Sequence, residues 1–173
     1  MSLMKRIIDR FKTSRMSLEE QAKYYGVIMG YDNYIASRFW SSEPYLITIG
    51  NHCALTYGSK IHTHGGASAV YHKITDFDAF GKVTLGDYVY VGCYAQIMPG
   101  VTIGSHVLIA AGSIVTKSIP SDVVVAGNPA RIICSLDDYI ERNSQYNVSS
   151  RYFSREEKQN YLMSLSDEMF IHK

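Results

Sequence analysis

The chain has 173 residues, 19% charged and 46% hydrophobic, with a formal net charge of +1 at pH 7. That length supports one domain with a real core, and the balanced charge gives no electrostatic footing for nucleic acid. No apolar run is long enough to span a membrane and the N-terminus has no signal-peptide core, while three cysteines without paired spacing (Cys53, Cys93, Cys134) predict a reduced, cytoplasmic protein.

Residues 4–29 read as helical. Ile7, Ile8 and Phe11 form one apolar face beside Lys5, Arg6, Arg10 and Lys12, and Ser17 with Glu20 three positions on makes a capping box for a second helix. From Tyr34 the pattern changes to short strands, Tyr34–Trp40 and Tyr45–Ile49, separated by the Glu43-Pro44 break. Ile49, Leu55 and Ile61 then open a spacing of six residues, which makes one full coil.

The same spacing returns without a slip at Leu85, Val91, Ile97, Ile103, Ile109 and Val115. A second set follows four residues after each aliphatic: Val89, Ala95, Val101, Val107 and Ser113. A helix would repeat at 3.6 and a strand at 2, so a sustained period of six predicts a hexapeptide β-helix, in which three hexads close a triangular coil and the large aliphatics fill the prism. Gly86, Gly92 and Gly104 directly follow three of the aliphatics and read as residues of tight corners.

Between Ile61 and Leu85 the repeat fails. The intervening stretch carries His62, His64, Gly65, Gly66, Tyr71, His72, Asp76, Asp78 and Phe80, and is read as an active-site loop thrown out of the coil over about residues 62–82. Beyond Val115, Val123–Ala126 and the turn Gly127–Arg131 close the last coil. Ser135 is placed to open a helix through about Arg142, and Ser154 with Glu157 forms a capping box for another through about Leu165. The expected organisation is an all-β solenoid with flanking helices: a helical segment over 1–33, the β-helix over 34–134 and a helical extension over 135–173.

The strict hexads, the loop Thr63-His64-Gly65-Gly66 and the strings MPGVTIG, AAGSIVTKSIP and VVAGNPARII resemble the hexapeptide-repeat acyltransferases, in particular the maltose and galactoside O-acetyltransferase branch and the related capsule and lipopolysaccharide O-acetyltransferases. The resemblance covers about residues 34–140. It implies a left-handed parallel β-helix and a homotrimer with active sites between subunits, with acetyl-CoA as co-substrate, a saccharide as acceptor, and neither a bound metal nor a tightly held cofactor.

Attack of a sugar hydroxyl on a thioester needs a general base, and an imidazole with its ordinary pKa near 6.5 keeps an appreciable neutral fraction at working pH. The motif match places that base at His64. His62 and Tyr90 are expected to wall the site. The match further implies CoA binding by Cys93, Ala111 and Gly112, then Thr116 and Lys117, with Lys117 and Arg131 as cations for its phosphates. Two positions depart from the family pattern: Cys134 stands where relatives often carry a further cation, and no upstream residue matches the one that grips the acceptor sugar.

Three other readings compete. One is N-acetyl transfer to an amino sugar on the same fold. Another is a trimeric zinc carbonic anhydrase using His62, His64 and His72, although that family carries its ligands on the coils and not in a loop. The third is a non-catalytic scaffold, which would not bind acetyl-CoA.

Overall fold

A computed structural model of the chain describes residue 9 and residues 11–172. The amphipathic helix expected around Ile7 and Ile8 lies largely outside the described residues. Helix α1 (Leu18–Tyr25) starts at the capping box read from the sequence: Ser17 Oγ accepts from the Glu20 amide at 3.2 Å, and the Glu20 carboxylate accepts from the Ser17 amide at 2.7 Å. Gly26, with φ +109°, ends the helix in the left-handed conformation that glycine adopts at least cost.

The chain then winds around three parallel faces. Face 1 holds β1 (Ile28–Met29), β3 (Ile47–Ile49), β6 (Val83–Leu85) and β9 (Thr102–Ile103). Face 2 holds β2 (Tyr34–Ile35), β4 (Ala54–Leu55), β7 (Tyr90–Val91), β10 (Leu108–Ile109) and β12 (Val123–Gly127), and face 3 holds β5 (Lys60–Ile61), β8 (Gln96–Ile97) and β11 (Ile114–Val115). Each circuit visits faces 1, 2 and 3 in that order. Leu85 pairs with Ile103, Val91 with Ile109 and Ile97 with Val115, so a regular circuit takes 18 residues, three hexads.

The aliphatics at the sixth positions all point inward and are at most 2% exposed, and so are Val89, Ala95, Val101, Val107 and Ser113. Each buried Val, Leu or Ile contributes roughly 1.5–3 kcal/mol relative to exposure. The glycines have a different reason than the one expected. Gly92 and Gly104 do not adopt positive φ; a Cβ on either would sit 2.5 Å from a backbone nitrogen of the next circuit, Ala111 or Ser121. Coil-to-coil approach, not turn geometry, excludes a side chain there. The left-handed corner residues between faces 1 and 2 are Asp32, His52, Tyr88, His106 and Asp122, with φ between 54° and 62°.

Two parts of the coil depart from the expectation. One circuit precedes the first hexads: β1 and β2 pair with β3 and β4 at a spacing of 20 residues, and Trp40 bridges to Ile61 at 21. Residues 28 and 29, read as the end of a helical segment, are therefore strand, and Tyr34–Trp40 is a short strand followed by an isolated bridge. The added residues put this circuit out of step with the hexads. At the other end, Ala130–Ser135 is strand β13, which turns back antiparallel on β12, so face 2 ends in a hairpin and not a plain turn.

Contact density separates residues 1–136 from residues 137–173. The second unit carries α2 (Leu136–Asn143, beginning at the last residue of the first unit) and α3 (Arg155–Ser164), the latter opened by the Ser154 and Glu157 capping box. Neither helix has a buried residue. No helix among the described residues is long and apolar enough to cross a membrane.

Candidate active site

Past the end of β5 burial alternates along the chain, residue by residue, in and out of the prism. Ile61 and Thr63 are buried at 1% and 0% exposure, while His62 and His64 face outward and are half-buried. The two imidazoles then part company. His62 Nε2 lies 3.0 Å from Gln96 Oε1 on the following circuit, whereas His64 Nδ1 lies 2.6 Å from Glu43 Oε2 on the preceding one. They share a face but no partner, and His72, which the zinc reading would add, is exposed in the loop.

Glu43 is the residue that the sequence reading passed over. It sits immediately before Pro44, which opens the 3₁₀ turn Pro44–Leu46. Its offset from His64 is the offset of the Trp40–Ile61 bridge, so the two side chains occupy equivalent places on adjacent circuits. Glu43 Oε2 also accepts from the Thr63 hydroxyl at 2.8 Å, and Thr63 Oγ1 lies 2.9 Å from Ser41 Oγ. An ionised carboxylate only accepts, so the geometry fixes the proton order: Ser41 donates to Thr63, Thr63 to Glu43, and His64 carries its proton on Nδ1. In the neutral ring, Nε2 then carries the lone pair.

The loop between β5 and β6 is tied at its neck. His64 and Phe80 form an antiparallel bridge, the Gly81 amide donates to the Thr63 carbonyl at 2.8 Å, and the rings of His64 and Phe80 lie 5.6 Å apart. Beyond the neck the loop is almost wholly exposed and includes one 3₁₀ turn, Ala67–Ala69. Together with Ser42 and Glu43 it encloses a cavity of about 380 Å³ lined by His64, Gly65, Gly66, Tyr71, Asp78 and Phe80. His72 and Asp76, named with them in the sequence reading, are not part of that lining.

The residues assigned to CoA fall into two groups. Cys93, Ala111 and Gly112 lie on successive circuits at the corner between faces 2 and 3, where the Gly112 amide donates to the Cys93 carbonyl at 2.8 Å. Thr116 and Lys117 lie at the next corner, between faces 3 and 1, the corner from which the His64 loop leaves. Arg131 comes from β13, and Lys117 and Arg131 line one groove of about 350 Å³ with Pro120 and Ile132. The hairpin thus brings together two cations 14 positions apart in the chain. Tyr90 is on the outer side of face 2 between Ala54 and Leu108, away from the His64 corner within one chain. The Gly92 amide, beside Cys93, donates to the Ile109 carbonyl at 2.8 Å and is not free to meet a ligand.

Residues 82–117 match the family model for the bacterial transferase hexapeptide, described as six repeats. The chain is 37% identical over 168 residues to Protein CapG of Staphylococcus aureus, covering 93% of this chain and 95% of that protein. It is 37% identical over 99 residues to the galactoside O-acetyltransferase of Escherichia coli (strain K12), 56% of this chain and 47% of the enzyme. Among solved structures it resembles a hexapeptide-repeat acetyltransferase from Vibrio cholerae, with TM-score 0.62 and 20% identity over 77% of this chain and 89% of the other, which is a likeness of fold. That Vibrio protein has also been solved with acetyl coenzyme A.

Proposed function

The chain belongs to the hexapeptide-repeat acetyltransferase family, and on that premise we propose that it transfers an acetyl group from acetyl-CoA to a carbohydrate hydroxyl, on a saccharide destined for a surface polysaccharide. The observation that carries the reading is the Glu43–His64 pair at the neck of the loop. Glu43 holds the imidazole by Nδ1, and Nε2 takes the proton of the acceptor hydroxyl as its oxygen attacks the thioester carbonyl. The tetrahedral intermediate collapses with cleavage of the C–S bond, and the proton passes from Nε2 to the departing CoA sulfur. The products are the acetyl ester and CoA, and His64 is restored.

In this reading Glu43 is a positioning residue and His64 the catalytic one. Direct transfer in a ternary complex needs no acyl-cysteine, so Cys93 has no nucleophilic role in this reading. Cys93, Ala111 and Gly112 offer small residues beside the pantetheine arm, Thr116 continues that surface, and Lys117 and Arg131 meet the phosphates from their shared groove. His62 and Tyr90 wall the acceptor side.

The coil is read as left-handed, with the catalytic domain running from β1 at Ile28 to about residue 134, helical flanks before it and over 135–173, and a cytoplasmic location. Three chains form a ring whose interfaces are head-to-tail, so the His64 corner of one subunit faces Tyr90 and the Cys93 corner of a neighbour, and an isolated chain is inactive. The test is thiol release from acetyl-CoA against a panel of hexoses, galactosides, oligosaccharides and amino sugars, with the mass of the assembly measured in parallel. Hydroxyl-dependent release by a trimer is expected. Release only with amino sugars would replace O-transfer by N-transfer, and absence of acetyl-CoA binding in calorimetry would overturn the enzymatic reading.

A further inference from the structure

A second cavity, of about 390 Å³, adjoins the His64 cavity and shares Ser42 with it. Its walls come from α1 and from the irregular first circuit: Tyr25, Arg38 and Trp40. The Arg38 guanidinium carbon lies 5.7 Å from the Tyr25 ring centre and 5.2 Å from that of Trp40, so two aromatic faces hold the cation in place. Among the described residues its N–H groups have no hydrogen-bond or ion-pair partner. The acid in the same cavity, Asp9, accepts from the Tyr24 hydroxyl at 3.0 Å and leaves Arg38 unpaired. Trp40 is only 4% exposed, and its Nε1 has no partner among the described residues, although buried polar groups are normally satisfied.

An exposed guanidinium fork without a partner among the described residues, packed on two aromatic rings in a cavity whose lining flanks Glu43 at Ser42 and Pro44, is suited to a planar anion on a ring. We infer that this cavity is a subsite for an acidic sugar: a carboxylate-bearing pyranose, linked to the sugar whose hydroxyl reaches His64, rests beside Tyr25 and gives its carboxylate to Arg38, which Trp40 backs from beneath. A single arginine with Asp9 nearby offers too little positive charge for a doubly charged phosphate, which favours the carboxylate. The placement of the neighbouring sugar rests on the acetyl-transfer reading; binding in the cavity does not.

Trp40 is the only tryptophan of the chain, so its fluorescence reports on this cavity directly. The experiment titrates the native protein with a glucuronosyl-glucose disaccharide, with its methyl ester and with glucose 6-phosphate. The acid is expected to give a saturable change in Trp40 emission, with binding about tenfold or more weaker for the ester and weakened to the same degree in Arg38→Gln. Arg38→Lys, which keeps the charge and loses the fork, serves if the melting of Arg38→Gln shows a folding defect, and it too is expected to bind the acid more weakly. Equal binding of acid and ester, no saturable response, tighter binding of glucose 6-phosphate, or insensitivity to Arg38 would overturn the inference. If Trp40 responds as expected while no acceptor releases CoA, the subsite stands and the acetyl-transfer reading falls.

Discussion

The circuits from Val83 to Val115 and the stretch from His62 to Lys82 occupy one coil but obey opposite rules. In the first, each sixth residue is buried and every corner repeats, so each side chain is dictated by its neighbours one circuit away. In the second, Thr63 is the only buried residue and the chain is anchored chiefly at its neck by the His64–Phe80 bridge and Glu43. A repeating coil offers only side chains lying on its faces and corners, with no segment that stands away from the prism. The interruption supplies one, and the irregular circuit before it supplies the carboxylate that holds it.

The sharpest way to break this comparison is to alter each region alone. His64→Ala is expected to lower acetyl transfer by about two to four powers of ten, the usual worth of a positioned general base, with thermal stability close to native. Ile97→Ala, in the regular region, should do the reverse. Ile97 is fully buried, and truncating such a side chain costs about 2–5 kcal/mol of stability, to be read by denaturant unfolding. A large loss of stability in the first variant, or none in the second, would blur the division between the two regions.

Glu43→Gln sharpens the account of the site. Losing a hydrogen bond to a charged group is worth about 1.5–3 kcal/mol, or roughly ten- to a hundredfold in kcat, with the KM for acetyl-CoA unchanged. A native kcat would remove Glu43 from the mechanism. At the thiols the expected effect is smaller. Burial pushes the Cys53 thiol above its ordinary value and leaves it 1% exposed, whereas Cys93 and Cys134 are only partly buried. A thiol reagent at pH 8 should therefore label Cys93 and Cys134 first and Cys53 only on unfolding, and prompt labelling of Cys53 would contradict the packing of the coil.

The capping boxes give the smallest effect. The Ser17 amide and hydroxyl hold the Glu20 carboxyl below the ordinary carboxylate range, and Ser154 does the same for Glu157. With folded values depressed, the stabilisation is complete above the unfolded pKa and is lost as pH falls through the folded one. Carboxyl NMR titration should place both midpoints below that of a free glutamate. Ordinary midpoints would mean open boxes.

Much of the fold could be read in advance because each hexad repeats the same environment. The period alone placed Leu85, Val91, Ile97, Ile103, Ile109 and Val115 inside. Both capping boxes were legible because a local spacing decides them. The first circuit was not, since its spacing of 20 to 21 residues hides β1 and β2 from a search at six. The same irregularity hid Glu43: its contact with His64 follows from a circuit length that nothing in the local sequence displays. β13 was missed because Gly127–Arg131 reads as a turn, which it is, without revealing that the chain doubles back along β12. Lys117 and Arg131 were legible as residue types, and the hairpin explains how they come to line one groove.

The central claim is that the interrupted circuit performs general-base acetyl transfer with His64. The most direct measurement is the single-turnover rate of acetyl ester formation on an accepting saccharide, taken side by side for the native protein and the His64→Ala variant, both saturated with acetyl-CoA. The account predicts a native burst of ester and a fall of about two to four powers of ten in the variant, with acetyl-CoA affinity retained. Equal rates in the two proteins would contradict it.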